Sequence, residues 1–331
     1  MKIYITLDYE LFLGNYTGSI DNCIIKPVEL LLDLFLRYDV KATFFVDSSY
    51  LLRLYELSGE VNTLSQDFSS LVCNLHKIVS LGHDVGLHIH PQWYNAKYSH
   101  QWEFVPNLYT LNDLQRFTDS GFYFKNCCAL LENITGKEIK SFRAGGYSIQ
   151  RFDSLMGIFQ DNNIFVDSSV LFKGVCYSQF QKYDYSCLSD SDVYKFSDNI
   201  CIPQYDGQFF ELPISTIRIP TIQYLFNKLI KVTNDSIMGD GYSVKDSSPK
   251  RLLHRLFNTQ TISASFDNIA VDFLFDIYNK YKLNGKNDFC IIGHPKCISL
   301  HSLSLFGEFI SCAKNNGDNF CGINSLLQDG K

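Results

Sequence analysis

The segment KIYITLDYE, residues 2–10, combines a buried strand with two carboxylates at its end. The run KIYITL at residues 2–7 is rich in apolar and β-branched residues, which is typical of a strand inside a sheet. Asp8 and Glu10 follow this run. Because side chains alternate across a strand, residues that are two apart point the same way. The segment therefore predicts a pair of carboxylates on one face of the first strand.

A second segment, GHDVGLHIHP at residues 82–91, repeats this spacing with imidazoles. It predicts a strand framed by Gly82 and Pro91, with His88 and His90 two residues apart at its end. If this strand and the first are neighbours, two carboxylates and two imidazoles converge. These groups are ligands of a divalent metal such as zinc, with room left for a water molecule. Together the two segments predict a metal-dependent hydrolase.

Strand and helix patterns alternate along the chain. Further strands are predicted at residues 41–47, 140–146, 163–169, 209–215 and 287–295, and FCGINSLL at 320–327 closes the chain. Helices are predicted at residues 27–38, 69–81, 111–135, 149–161, 250–281 and 301–314. Such alternation implies a parallel sheet. About seven strand–helix units favour a single α/β barrel domain over residues 1–331, with loop excursions at about 170–206 and 215–248.

The polar residues with catalytic chemistry lie at the ends of predicted strands. They are Asp8, Glu10, His88, His90, Arg143, Asp167 and His294. In parallel barrels the active site lies at the C-terminal ends of the strands. The shared position of these residues predicts one common site.

Composition narrows the class of protein. The net charge is −6 without any basic block, so nucleic acid is not expected as a partner. No stretch of about eighteen apolar residues occurs, and the first residues lack a signal-peptide core, so stable membrane insertion is not expected. The eleven cysteines are scattered without a CxxC pair, which argues against a structural zinc knuckle or a disulfide scaffold. These features predict a cytoplasmic protein.

Six short motifs, taken in order, resemble those of the polysaccharide deacetylases, the NodB-like family 4 carbohydrate esterases. The motifs are TLDYE at 6–10, KATFFV at 41–46, GHDVGLHIHP at 82–91, FRAGGYS at 142–148, VDSS at 166–169 and IIGHP at 291–295. The resemblance implies a distorted (β/α)7 barrel. It also implies a divalent metal held by one Asp and two His, and hydrolysis of N-acetyl or similar acyl groups on sugars.

The chain departs from the family pattern at two positions. Tyr9 stands where the family has a second Asp, and Gln92 stands where it has a second His. Glu10 and His90 are the residues that would compensate, because each forms an i, i+2 pair with a motif residue. We therefore expect a divergent member with an altered set of metal ligands.

Amide hydrolysis needs an activated water, a stabilised oxyanion and a proton for the leaving nitrogen. Glu10, His88 and His90 are the expected ligands of the metal, and Asp8 is the expected general base or a further ligand. Zn²⁺ is the expected metal, with Co²⁺, Ni²⁺ and Mn²⁺ as alternatives. His294 is the expected general acid, because the imidazole pKa lies near neutral pH.

Four further residues are assigned supporting roles. Arg143 is expected to pair with Asp8 and keep it ionised. Asp167 is expected to orient Arg143 or a histidine. Tyr147 and Trp93 are candidates to stack on a sugar, although packing beneath the loops is an equal alternative.

Three functions remain open at this point. The first is removal of an N-acyl group from a carbohydrate or a nucleotide- or lipid-linked glycan precursor. The second is a deformylase or another hydrolase of C–N bonds on the same fold. The third is a catalytically weak carbohydrate-binding homologue. A serine hydrolase and a metalloprotease are disfavoured, because the chain has neither G-x-S-x-G nor H-E-x-x-H.

Overall fold

The computed structural model describes residues 1–221, 236–242 and 259–329. The described strands are β1 (Lys2–Tyr9), β2 (Thr43–Asp47), β3 (Asp84–Ile89), β4 (Lys97–Tyr98), β5 (Trp102–Glu103), β6 (Ser141–Ala144), β7 (Val166–Asp167), β8 (Val175–Tyr177), β9 (Lys182–Asp184), β10 (Tyr194–Phe196), β11 (Phe209–Glu211), β12 (Thr216–Pro220), β13 (Thr259–Ser263), β14 (Asp288–Gly293) and β15 (Asn319–Cys321). The described helices are α1 (Lys26–Arg37), α2 (Ser48–Ser58), α3 (Asn62–Ser80), α4 (Leu111–Leu114), α5 (Ser120–Thr135), α6 (Met156–Asp161), α7 (Leu274–Leu283), α8 (Leu300–Asn315) and α9 (Leu326–Asp329).

One large sheet organises the molecule, in the order β10-β11-β7-β6-β3-β2-β1-β14, with β15 also paired to β1. All of its ladders are parallel except the one between β10 and β11. Strand β2 lies between β1 and β3, so the carboxylate and histidine strands are not direct neighbours. Their C-terminal ends nevertheless lie at the same edge of the sheet, because the ladders are parallel.

The sheet curls into a distorted barrel. Among the described residues, individual backbone hydrogen bonds rather than a regular ladder close the barrel between its β11 side and β14. Ser215 donates its backbone N–H to the carbonyl of Cys290 in β14, and Ala264 donates its N–H to the carbonyl of Ser215. Ile292 in turn donates its N–H to the carbonyl of Ala264. These bonds join the β11 side of the sheet to β14. The barrel class predicted from the strand–helix alternation is therefore confirmed, with one irregular seam.

The side chains of β1 show which face of the strand points into the barrel. Tyr9 is buried among the helices outside the sheet, where its hydroxyl donates to Oδ1 of Asn74 in α3 at 3.0 Å. Asp8 and Glu10 point to the opposite side, as the period of two requires. A carboxylate at position 9 would lie under α3 and far from the strand-end histidines. A tyrosine suits this position, because its ring is buried and its hydroxyl has a hydrogen-bond acceptor in Asn74.

Several predicted helices differ from those observed. The single helix predicted at 111–135 is two helices, because the side chain of Asp119 accepts the N–H groups of Gly121 and Phe122 and starts α5 anew. Helix α2 was not predicted, α3 begins seven residues before its predicted start at residue 69, and only the end of the predicted 149–161 helix is α-helical. Of the predicted 250–281 helix, residues 250–258 lie outside the described residues, and residues 259–263 form β13 instead.

The two predicted excursions contain short strands. Within 170–206, β8 and β9 form a hairpin, and β10 adds to the edge of the main sheet. In the second excursion β12 pairs antiparallel with β13, while residues 222–235 and 243–248 lie outside the described residues.

None of the helices that the structure describes combines the length and the hydropathy needed to cross a lipid bilayer.

Candidate active site

Three of the predicted metal ligands meet at the C-terminal edge of the sheet. One ligand atom from each of Glu10, His88 and His90 lies within 4.8 Å of the other two, and all three residues are buried. Oε2 of Glu10 is 2.5 Å from Nε2 of His90 and 3.3 Å from Nε2 of His88. Two imidazole nitrogens and one carboxylate oxygen at this spacing are a donor set that a zinc-type cation takes.

The ring of His88 is oriented as that of a metal ligand would be. Its Nδ1 lies 2.7 Å from the backbone carbonyl of Arg143. A carbonyl only accepts hydrogen bonds, so Nδ1 carries a proton, and Nε2 is the ring nitrogen that faces Glu10. Metal-binding histidines commonly donate their other ring N–H to a carbonyl or carboxylate, which fixes the tautomer. The donor set and its orientation therefore fit a divalent metal.

The FRAGGYS loop shapes the pocket around His90. A Cβ atom added at Gly145 would lie 2.5 Å from Nδ1 of His90 and 2.7 Å from the carbonyl oxygen of Ile89. Only a glycine permits this close approach. On the other side, the backbone N–H of His90 donates to Oγ of Ser49 at 2.9 Å. Gly145 thus makes room for the imidazole, and Ser49 at the start of α2 holds the backbone of His90.

Glu10 has a second, unpredicted partner. Nζ of Lys296 lies 2.8 Å from Oε1 of Glu10, and it also donates to the carbonyl of Leu11 at 2.6 Å. Burial would raise the pKa of Glu10, but Lys296 and His90 together hold it well below its ordinary value. The carboxylate is therefore ionised across the working pH range. The only sequence signal for Lys296 is its place directly after the IIGHP motif.

Asp8 forms a fully buried ion pair with Arg143. Nη1 of Arg143 donates to Oδ1 of Asp8 at 2.8 Å. Its remaining donors reach Thr6 Oγ1 and Ser168 Oγ, each at 2.8 Å, and the Ser168 carbonyl at 2.7 Å. Burial would raise the pKa of Asp8, but the guanidinium keeps this pKa below its ordinary value. Asp8 is thus an ionised acceptor with a fixed rotamer.

His294 reaches both carboxylates from β14. Its Nε2 lies 3.6 Å from Oδ2 of Asp8 and 3.7 Å from Oε1 of Glu10. Its Nδ1 lies 2.6 Å from Oδ2 of Asp267, and Oδ1 of the same carboxylate accepts the backbone N–H of His294 at 2.7 Å. Burial opposes the charged ring, but Asp267 outweighs it and raises the pKa of His294 to about 9. Asp267 lies in an irregular segment with no motif, so the sequence did not single it out.

We expect Asp267→Asn to change how the rate of amide hydrolysis depends on pH. The fall in rate at alkaline pH should begin at a lower pH than in the parent protein. A general acid works only while protonated, so the rate falls as pH rises through the pKa of His294. Without Asp267, that pKa should drop from about 9 towards its ordinary value of 6.5. The pH–rate profile of the variant, compared with that of the exposed-site variant Asp33→Asn, measures the shift. An unmoved alkaline limb would contradict the assignment of His294 as the acid.

Asp167 does not take its predicted position. It accepts hydrogen bonds from the backbone N–H and the hydroxyl of Ser169, at 2.9 and 2.8 Å, rather than contacting Arg143 or a histidine. It is paired across the ladder with Glu211, and both residues are buried. Burial and the charge of Asp167 raise the pKa of Glu211 well above its ordinary value. The two carboxyl groups lie at the ends of β7 and β11, where Oε1 of Glu211 accepts the backbone N–H of Val170 at 3.0 Å.

Trp93 does not lie where a sugar could stack on it. The side chain is fully buried, and its Nε1 donates to Oδ2 of Asp47 at 2.8 Å. Tyr50 packs against its ring at a centroid distance of 4.6 Å. The prediction of a substrate contact is therefore wrong, and the alternative of packing beneath the loops is correct. The indole instead holds Asp47, a buried strand-end carboxylate that the sequence did not single out.

Tyr147 remains a candidate for substrate contact. It is half-buried, it lies at φ 61° after Gly146, and its carbonyl accepts the hydroxyl proton of Tyr185 at 2.5 Å. Its ring centroid is 5.9 Å from that of Tyr183. The next residue, Ser148, lines a cavity of about 690 Å³, whose other walls include Tyr177, Tyr183, Gln150, Arg151 and Lys182. This volume lies in the range of about 300–1,000 Å³ found for small-molecule sites.

Comparison with known proteins identifies the class of fold. No protein-family model matches the chain, and no curated protein sequence matches it. In three dimensions, a candidate polysaccharide deacetylase from Mycobacterium smegmatis matches with a TM-score of 0.53 at 13% identity, over 99% of this chain and 89% of that one. The Puue allantoinase matches with a TM-score of 0.53 at 12% identity and the same coverage. A candidate polysaccharide deacetylase from Pseudomonas aeruginosa has a TM-score of 0.50 at 11% identity, again over 99% and 89%.

These structural similarities establish the fold. Because the sequence identities are only 11–13%, the chemistry has to be argued from the residues of the site. The chain has the fold of the polysaccharide deacetylases, as its six motifs predicted. The low identity agrees with a divergent sequence, whose departures at Tyr9 and Gln92 are visible in the motifs. Within that fold, Glu10 lies beside the two histidines of the third strand.

Proposed function

We propose that the protein is a metal-dependent hydrolase that removes an acetyl or other N-acyl group from a carbohydrate. The observation that carries the proposal is the convergence of Glu10, His88 and His90 on one buried point. Asp8 and His294 lie beside that point, each held by an oppositely charged partner. The fold, shared with candidate polysaccharide deacetylases, supports the same reaction class.

Glu10, His88 and His90 would hold the metal, with Zn²⁺ first and Co²⁺, Ni²⁺ or Mn²⁺ as alternatives. When bound, the metal would supply a Lewis acid for the carbonyl and lower the pKa of a water to ~7. Asp8 takes the proton of the attacking water, because Arg143 holds it ionised and faces only one of its two oxygens. Oδ2 of Asp8 is the oxygen that faces His294 and remains open to the reaction.

His294 donates a proton to the departing nitrogen. Its raised pKa keeps the ring protonated at neutral pH, and Asp267 holds Nδ1 so that Nε2 faces the reacting groups. Tyr147 would contact the sugar. The cavity of about 690 Å³, which is lined by Ser148 and by none of the proposed ligand or catalytic residues, would receive a more distant part of it. The mixture of tyrosines, amides and charged groups around this cavity suits a polyhydroxylated ligand.

The carbohydrate we favour is a glycan precursor, nucleotide- or lipid-linked, handled in the cytoplasm. All eleven cysteines are free thiols, which supports a reducing compartment. A second candidate is a hydrolase of C–N bonds in small amides, favoured by the equal TM-score with the Puue allantoinase. Three assays carried out side by side distinguish these functions. They measure the release of acetate from acylated sugars, the release of formate from formylated sugars, and the ring opening of cyclic amides.

His88→Ala should remove stoichiometric metal from the purified protein. The variant loses one of three donors, whereas the His76→Ala control changes a histidine on α3 whose Nε2 lies 2.8 Å from the carbonyl oxygen of Ile134. Metal content by elemental analysis after loading with Zn²⁺ gives the readout. Full metal occupancy in His88→Ala would contradict the proposed ligand set, whatever the activity assays show.

A further inference from the structure

The two oxygens of Glu10 face different charges. Oε2 faces the imidazoles of His88 and His90, at 3.3 and 2.5 Å. Oε1 accepts a hydrogen bond from the ammonium of Lys296 at 2.8 Å. Oε2 of Glu10 is therefore available on the side of the two histidines, whereas Oε1 is already bound to the ammonium of Lys296.

Lys296 is held firmly in this place. Its ammonium also donates to the carbonyl of Leu11 at 2.6 Å and lies 4.9 Å from the centroid of the Phe12 ring. The side chain is only 7% exposed, so it does not extend into solvent. The backbone of Lys296 is also fixed, because its carbonyl accepts the N–H of Gly239 at 3.0 Å. A buried ammonium with these contacts is a fixed charge and not a flexible surface group.

Three carboxylates of the site each have a basic partner within the protein. Asp8 is paired with Arg143, Glu10 with Lys296, and Asp267 with His294. A divalent metal bound to Glu10 would therefore lie close to an existing ammonium and share its carboxylate. Like charges in a poorly solvated site repel far more strongly than they do in water. The same donor set without Lys296 would hold a metal more tightly.

We propose that Lys296 is a positioning residue that restricts Glu10 to one free oxygen and weakens divalent-metal binding by competing for its charge. The inference rests on the ligand set of the proposed function but not on the reaction. A metal bound at this site would have to share the carboxylate of Glu10 with Lys296. The site would load and release metal more readily than one with an unpaired carboxylate.

The test compares metal affinity in the full-length protein and in Lys296→Gln. Glutamine keeps a donor for the Leu11 carbonyl and removes the charge. Zn²⁺ affinity is measured by competition with a chromophoric chelator, and Co²⁺ binding by the visible absorption of the ion. We expect the Zn²⁺ dissociation constant to fall at least tenfold. The matched control is Lys282→Met, which removes a lysine paired with Asp318 away from this site and should change nothing.

Two further measurements keep the proposal falsifiable. Lys296→Met should tighten Zn²⁺ binding in the same direction, and Zn²⁺ should raise its thermal midpoint more than that of the parent protein. In a Glu10→Gln background, Lys296→Gln should tighten Zn²⁺ binding less than it does in the parent protein, because the competition for the carboxylate is gone and only the repulsion between ammonium and metal is relieved. Unchanged or weaker Zn²⁺ binding in both Lys296 variants would overturn the inference.

The outcome is separable from that of the proposed function. If the parent protein binds metal and the Lys296 variants bind it more tightly, the inference holds even where every acylated sugar fails as a substrate. If deacylation is found but the Lys296 variants lose metal, the function stands and the inference falls. If His88→Ala keeps its metal, the ligand set fails first, and this inference fails with it.

Discussion

Asp8→Asn should lower the rate of acyl hydrolysis by about 10²–10⁴-fold, the usual contribution of a positioned acid or base. Asparagine fills the same space, and its carbonyl still accepts from Arg143, but its amide cannot take a proton from water. Asp8 is not one of the three residues whose ligand atoms converge, so Zn²⁺ should still bind. The rate constant and the Zn²⁺ content, measured on one preparation, check both parts of the expectation.

The control for this variant is Asp33→Asn, at an exposed position on α1. It should keep both turnover and metal. Two results would contradict the role of Asp8: turnover near that of the parent protein, or loss of metal together with activity. The second result would make Asp8 a further metal ligand.

Arg143→Met should lower the free energy of unfolding by about 3–5 kcal/mol, the cost of leaving one member of a buried ion pair without its partner. Arg143 is fully buried and joins β6 to Asp8, Thr6 and Ser168. Its guanidinium also lies 4.3 Å from the centroid of the Phe45 ring. Methionine keeps part of the packing and none of the donors. Denaturant unfolding, followed by circular dichroism, measures the change.

The double variant Asp8→Asn/Arg143→Met sharpens this prediction. If the loss comes mainly from the unpaired carboxylate, removing that charge as well should recover part of the stability. Arg116→Met is the control, because Arg116 is exposed and paired only with Asp113; it should change stability by less than about 0.5 kcal/mol. A loss of the same small size in Arg143→Met would show that the buried ion pair contributes little.

The face of the barrel that carries the candidate site could be predicted from the sequence because local patterns encode it. Strand alternation puts Asp8 and Glu10 on one side of β1, and it puts Tyr9 under α3 on the other. Parallel strands bring their C-terminal ends to one edge, so His88 and His90 were expected beside the carboxylates even though β2 intervenes. Residue type and spacing sufficed for this part of the site.

Other features needed packing information that no local pattern contains. Trp93 follows the histidine strand as a sugar-stacking residue would, but the turn after β3 directs it into the core, onto Asp47. Asp167 ends its strand as a catalytic residue would, but its neighbour across the ladder is Glu211. The side of a strand follows from its sequence, whereas the identity of the neighbouring side chain depends on the other elements around it.

By itself the sequence determined the barrel class, the chemical types at its catalytic edge and the face on which they lie, because alternation and strand ends are properties of contiguous residues. Only the tertiary structure decided the charge pairing at that edge. Glu10 and Lys296 are 286 positions apart, and Asp8 and Arg143 are 135 apart, so each pair forms only once the barrel has curled. Ionic partners are chosen by proximity in space, and that proximity depends on the fold of the whole chain.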